Sequence, residues 1–209
     1  MKKASWILRF AGVICIPVYI IFTFFSHLYN LNISPVTNWL SEYGNPVENP
    51  GGALLYNIGC TIVAALLIVF YIGISQWYKN RKVLKKYVIC YICAQITGII
   101  GCIFLILTAV YPLGVNDSLH GTFSLLNMIG MDCFLSFIAI AFLMNPNIKK
   151  WIGIFMYLSA IFNIITTNGF SSLYIAEWIF FLLFMINMVI ITLNYDKTTI
   201  QVTGKGSRY

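Results

Sequence analysis

The chain has 209 residues, of which 60% are hydrophobic and 9% charged, against about 25% charged in an ordinary soluble domain. That composition excludes a water-soluble enzyme or binding module, and the period-two alternation of a membrane β-barrel is missing. The net charge of +7 is not read as a nucleic-acid surface, because the placement of the cations has a different explanation.

Apolar runs near the roughly 20 residues that a helix needs to cross the hydrocarbon core occupy residues 6–26, 54–76, 87–111, 119–144, 151–167 and 173–194. They predict an all-α, polytopic bundle of six transmembrane helices over residues 1–195, with an outer loop at 27–53 and a disordered tail at 196–209. All thirteen Lys and Arg lie near the start, in the second and fourth connections, or in the tail. The remaining connections hold Glu42, Glu48 and Asp117 and no cation. By the positive-inside rule this is a multi-pass cell-membrane protein with both termini cytoplasmic. The basic clusters then act as topology signals and anionic-lipid contacts rather than as a nucleic-acid patch. Trp6, Trp77, Trp151 and Trp178 fall near the ends of the runs, where indole rings prefer the headgroup layer.

The first run opens with Lys2-Lys3 but ends at Phe25-Ser26-His27 without a small-x-small cleavage site, so it is read as a retained span rather than a signal peptide. Pro17 near its middle predicts a kink. The loop that follows is longer than the about 2 to 8 residues usual between bundled helices, and loops of such length tend to be functional. Ser34-Pro35 reads as an N-cap with proline at the first helical position, and Gly44 with Pro46 as the stop. A short interfacial helix is therefore expected from about Pro35 to Tyr43. Its spacing puts Asn38, Ser41 and Glu42 on one side, facing inward, and Val36, Leu40 and Tyr43 on the other, resting on the bilayer. Asn57, one turn into the second run, needs a buried partner: it orients the outer loop or lines a polar pocket.

The connection from Trp77 to Lys86 carries only orientation and lipid contact. In the third run Cys90, Ala94, Gly98 and Cys102 recur every four residues, a spacing that lets another helix approach closely. An outer turn at 112–118 leads to the fourth run, with Asp117 or Ser118 as its cap. There His120, Ser124 and Asn127 recur at i, i+4 and i+7 on one face, reaching about 10 Å inward at 1.5 Å per residue. Asp132 lies deeper, and carboxylates in a membrane interior are costly and commonly functional. The sixth run places Glu177 in its first turn, where a carboxylate favours the helix dipole. All six cysteines fall within the runs and read as small apolar residues, Cys90-x-x-Cys93 included.

Four readings of the polar groups stay open. Glu42 or Asp132 serves as general base with His120 as acid or orienter, in hydrolysis or transfer at the outer leaflet. His27, His120 and a carboxylate hold zinc, although no H-E-x-x-H or other ligand spacing is present and no metal or cofactor is expected. Ser41 or Ser124 acts as nucleophile, without a G-x-S-x-G frame. Or the groups form a satisfied network that fixes helix register and seats the loop. The catalytic set under the first reading is Glu42, His120 and Asp132, with Asn38, Ser41, Asn57, Ser124, Asn127 and Glu177 binding the ligand.

The stretch from Asn38 to Pro46, with Leu55-Tyr56-Asn57-Ile58-Gly59 and Leu119-His120-Gly121, resembles a family of uncharacterised prokaryotic six-helix membrane proteins distantly similar to the DRAM/Frag/Sfk group. Ser41, Glu42 and Gly44 match that group's outer Ser-acid-x-Gly signature. The resemblance implies six helices, an extracytoplasmic first loop, and relatives associated with membrane lipid organisation or lipid-anchor remodelling. It brings no established catalytic residues, and the HxxxH pair of the zinc-dependent seven-helix lipid amidohydrolases is missing. The expected partner is a membrane lipid or lipid-linked molecule, on which the protein acts or which it binds. A non-enzymatic component binding a lipid, small molecule, partner protein or second copy of itself is the alternative, ahead of a transporter.

Overall fold

The computed structural model describes residues 4–78, 85–169 and 174–198, apart from the side chains of residues 4–7 and 167–169. It is all-helical over those residues, with helices α1 (Ala4–His27), α2 (Ala53–Ile74), α3 (Lys85–Val110), α4 (Asp117–Met144), α5 (Lys150–Gly169) and α6 (Tyr174–Leu193). Each helix packs against the next in sequence, and α6 returns to pack on α1, so six antiparallel neighbours close a ring. Five of them, α1 to α4 and α6, are long and apolar enough to cross a membrane, and α5 is apolar but shorter. Every helix turns at least one large aliphatic side chain outward, among them Ile20, Ile62, Ile100, Ile129, Ile154 and Leu182. Such a continuous apolar exterior is what lipid, not water, solvates. The molecule is a membrane-protein helical bundle.

The core is aromatic in the middle and small where helices approach most closely. Phe70, Tyr71, Phe134, Met156 and Met188 are fully buried, with the Tyr71 and Phe134 rings 4.6 Å apart and the Tyr71 hydroxyl donating to the Met131 sulfur. A Cβ added to Gly130 would sit 2.7 Å from the Gly101 Cα, so α3 and α4 meet backbone to backbone at this pair. Gly98, part of the four-residue stripe, accepts the face of the Tyr71 ring instead. All six cysteines are free thiols. Pro17 lies within an unbroken α1.

Two sequence expectations change at the cation-bearing end. Trp77, expected in the headgroup layer, is 1% exposed and stacked edge-on between Tyr91 and Tyr195, 5.1 Å from each. Tyr195 to Thr198, of which the last three belonged to the expected disordered tail, is a packed turn. Asn145 donates to the Lys197 carbonyl, Tyr91 donates to that of Thr198, and Arg9 pairs with Asp196 at 2.8 Å. Their backbone carbonyls give these residues partners that side-chain patterning does not reveal. Lys2, Lys3, Lys79, Arg81, Lys82, the outer turn near Phe170 and the tail beyond Thr198 lie outside the described residues.

At the opposite end the first outer loop differs from the expected single helix. Residues 35–37 form a turn, in which Asn38 N–H reaches the Ser34 carbonyl at 2.9 Å and the Thr37 hydroxyl donates to Asn38 Oδ1. Trp39 is extended (φ −64°, ψ 149°), and only Leu40–Gly44 is helical, as a 3₁₀ turn. The Asn38 side chain closes its own local turn and so competes with helix propagation. Leu40 and Tyr43 are buried while Val36 is 79% exposed. The apolar side of the turn therefore faces the bundle rather than the bilayer, because Tyr56 and Trp178 offer it aromatic surface there.

Candidate functional site

The loop is fastened at several points before any cavity forms beneath it. Asn49 is fully buried and donates to Ser26 Oγ and to the Tyr43 carbonyl at 2.9 and 3.0 Å. Asn57 donates to the Gly44 carbonyl at 2.9 Å. A Cβ on Gly44 would fall 2.4 Å from Asn57 Oδ1, so only glycine lets the loop come this close. The Tyr43 hydroxyl meets His27 Nδ1 at 3.0 Å, and burial raises the pKa of that phenol above its ordinary value. From α6, Trp178 donates its indole N–H to the Asn38 carbonyl at 3.1 Å, and Glu177 accepts the Ser41 N–H at 3.3 Å.

Between this loop and the ends of α4 and α6 lies a cavity of about 330 Å³. Its lining is polar at Ser41, His120, Ser124 and Glu177 and apolar at residues that include Trp39, Leu113, Leu125, Met128 and Phe180. His120 and Glu177 are themselves buried. His120 Nδ1 lies 3.1 Å from the Tyr111 carbonyl; since a carbonyl only accepts, Nδ1 carries a hydrogen. Directly below is a void of about 20 Å³ bounded by Tyr56, Asn57, His120, Ser124, Asn127 and Glu177, enough for one water molecule. Asn127 Oδ1 is buried there without a protein donor. The Tyr56 hydroxyl on its wall is 2.9 Å from that of Tyr19, which extends the polar chain to α1.

Of the residues singled out from sequence, Ser41, His120, Ser124 and Glu177 share the cavity, and Asn57 and Asn127 line the void beneath it. The other three stand elsewhere. Glu42 is held inside the loop by the Asn45 amide at 2.7 Å. Asn38 contributes its carbonyl to Trp178 rather than a side chain to the cavity. Asp132 is buried against Asn163 of α5, whose amide donates to it at 3.1 Å, and it lines neither space. The carboxylate that shares a wall with His120 is thus Glu177. The cap of α4 also moves: Asn116 Oδ1 accepts the Leu119 N–H at 3.1 Å, while Asp117 accepts from Gly114. Trp39, Met128 and Phe180 were missed. Met128 follows Ser124 by four residues and Phe180 follows Glu177 by three, so helical spacing from the polar anchors was the available signal.

Fold and site together define a multi-helix membrane protein with a loop-roofed cavity whose lining mixes polar and apolar side chains. The chain belongs to the family described as Protein of unknown function (DUF998), whose profile matches residues 13–194. No curated protein and no solved structure matches it.

Proposed function

We propose that this is a six-span cell-membrane protein, both termini cytoplasmic, whose outward-facing cavity binds a lipid or lipid-linked group. The carrying observation is the mixed lining of the about 330 Å³ cavity, polar at Ser41, His120, Ser124 and Glu177 and apolar at Leu125, Met128 and Phe180. Sites for small amphiphiles are concave, mainly apolar and furnished with a few convergent polar groups, and volumes of about 300–1,000 Å³ are usual. The sixth span is α5: it connects helix ends at opposite sides of the ring, and its 20 residues at ~1.5 Å each reach about 30 Å. The even count and the cation-free outer connections support the orientation. The Ser41, Glu42 and Gly44 signature supports kinship with the lipid-associated DRAM/Frag/Sfk group.

The test is photolabelling of the full-length protein in lipid nanodiscs with a diazirine-bearing lipid, followed by peptide mapping. Labelling concentrated at Leu125, Met128 and Phe180, and suppressed by Ser124→Trp, is the expected result. Labelling confined to outward residues such as Leu158 would reject it. An enzymatic reading is favoured by one observation, that an imidazole and a carboxylate, His120 and Glu177, line the same cavity. Under it, His120→Ala and Glu177→Gln change the lipid profile of cells at unaltered protein level, and an unchanged profile leaves binding alone.

A further inference from the structure

The cavity's charge environment is one-sided, and this restricts what it can hold. None of its lining residues is Lys or Arg. The sequence segments 28–52, 111–116 and 170–173, which join the helices there, contain no Lys or Arg, and the described cations Arg9, Lys85, Lys86, Lys149, Lys150 and Lys197 lie at or near the other helix ends. Acids, by contrast, gather there. Glu177 is in the wall, Glu42 acts electrostatically on both Glu177 and His120, and Asp117 acts on His120. A phosphate or carboxylate headgroup entering this space would be desolvated against like charge with no cationic partner, the arrangement that low-dielectric surroundings penalise most heavily. Phosphate and carboxylate recognition by proteins relies on Arg, Lys or clustered backbone N–H groups, and here the Ser41 N–H is already given to Glu177.

What the lining offers is acceptors: the Glu177 carboxylate, the hydroxyl oxygens of Ser41 and Ser124, and, one layer down, the unpartnered Oδ1 of Asn127. Their natural complement is a donor. The volume sets the second limit: about 330 Å³ is at the small end of the about 300–1,000 Å³ usual for ligand sites, which suits one headgroup with part of a single chain.

We infer that the cavity selects a single-chain amphiphile whose head donates hydrogen bonds and carries no negative charge, an amine or an alcohol. This rests on the lipid-binding reading above and adds the chemistry of the ligand to it. The experiment uses four diazirine probes of one alkyl chain, carrying an amine, a hydroxyl, a carboxylate or a phosphate head, on the full-length protein in zwitterionic nanodiscs. Labelling at Leu125, Met128 and Phe180 is normalised to the lipid-facing Leu158 and Ile154, which corrects for partitioning. The amine and hydroxyl probes are expected to label the cavity about tenfold or more above the carboxylate and phosphate probes, corresponding to ~1.4 kcal/mol of discrimination. Glu177→Gln, which keeps an acceptor for the Ser41 N–H, is expected to narrow the gap between amine and carboxylate. If the anionic probes label the cavity as well as the others, this inference fails while lipid binding stands. If no probe labels the cavity above Leu158, both fail together.

Discussion

Replacing Asn49 by alanine tests whether the outer loop is held by side-chain hydrogen bonds or by apolar packing alone. The Asn49 amide has two hydrogens and serves three acceptors: Ser26 Oγ, the Tyr43 carbonyl, and the Ser26 carbonyl at 3.3 Å. Neither carbonyl is orphaned by the substitution, because Ser26 Oγ still reaches Tyr43 O at 3.2 Å and the Tyr29 N–H still reaches Ser26 O at 3.2 Å. The cost is therefore that of two net hydrogen bonds, about 1 kcal/mol each, and not the larger penalty of unsatisfied buried groups. A small rebate comes from Asn49 Oδ1, which is buried without a partner. A loss of ~2 kcal/mol corresponds to roughly a 30-fold rise in the open population. Amide hydrogen exchange in nanodiscs is expected to accelerate by about that factor at Asn45, Gly52 and Ala53, whose N–H groups bond within the loop and its junction, with no change at Phe134 or Leu135 in the core. Unchanged exchange at those three amides would refute the fastening role assigned to Asn49.

Three further outcomes follow from other contacts. Gly130→Ala drives a Cβ to 2.7 Å from the Gly101 Cα and is expected to cost about 1–3 kcal/mol by overpacking, whereas Gly121→Ala meets nothing within 4 Å and gains about 0.5–1 kcal/mol of helix propensity; thermal melts of the two purified variants should move in opposite directions. Asp132→Leu leaves the Asn163 amide buried without its acceptor and is expected to cost about 1–3 kcal/mol, most of which returns when Asn163→Leu is added; additive losses in melting of the double variant would contradict the pairing. For pH, burial raises the Tyr43 pKa, so the fold favours the neutral phenol. Its stabilisation of the loop is fully present below the ordinary tyrosine value near 10 and is lost as pH climbs through the raised value. Exchange of the Asn45 and Gly52 amides should therefore show an alkaline acceleration, beyond the intrinsic one, that Tyr43→Phe abolishes.

Helical periodicity made part of the site legible and left the rest hidden for a definite reason. His120, Ser124 and Asn127 share a face because 3.6 residues make a turn, and that depends on no other helix. Which carboxylate joins them does not follow from any local rule. Glu42 belongs to the loop that roofs the cavity, but Asn45 three residues on captures it. Glu177 reaches the site across 136 positions of sequence through the Ser41 N–H. Asp132 obeyed the rule that membrane-interior acids have partners, yet its partner Asn163 sits on α5 and draws it away from the cavity.

The fastening of the loop has a consequence for the cavity. Trp39, whose ring packs 5.0 Å from that of Tyr174, stands with Ser41 over the ends of α4 and α6. Sequence spacing alone puts neither residue there; the bonds from Asn49, Asn57 and Trp178 to the loop backbone do. By holding Trp39 and Ser41 in place, those bonds leave His120, Ser124 and Glu177 lining an open volume rather than packed against the loop.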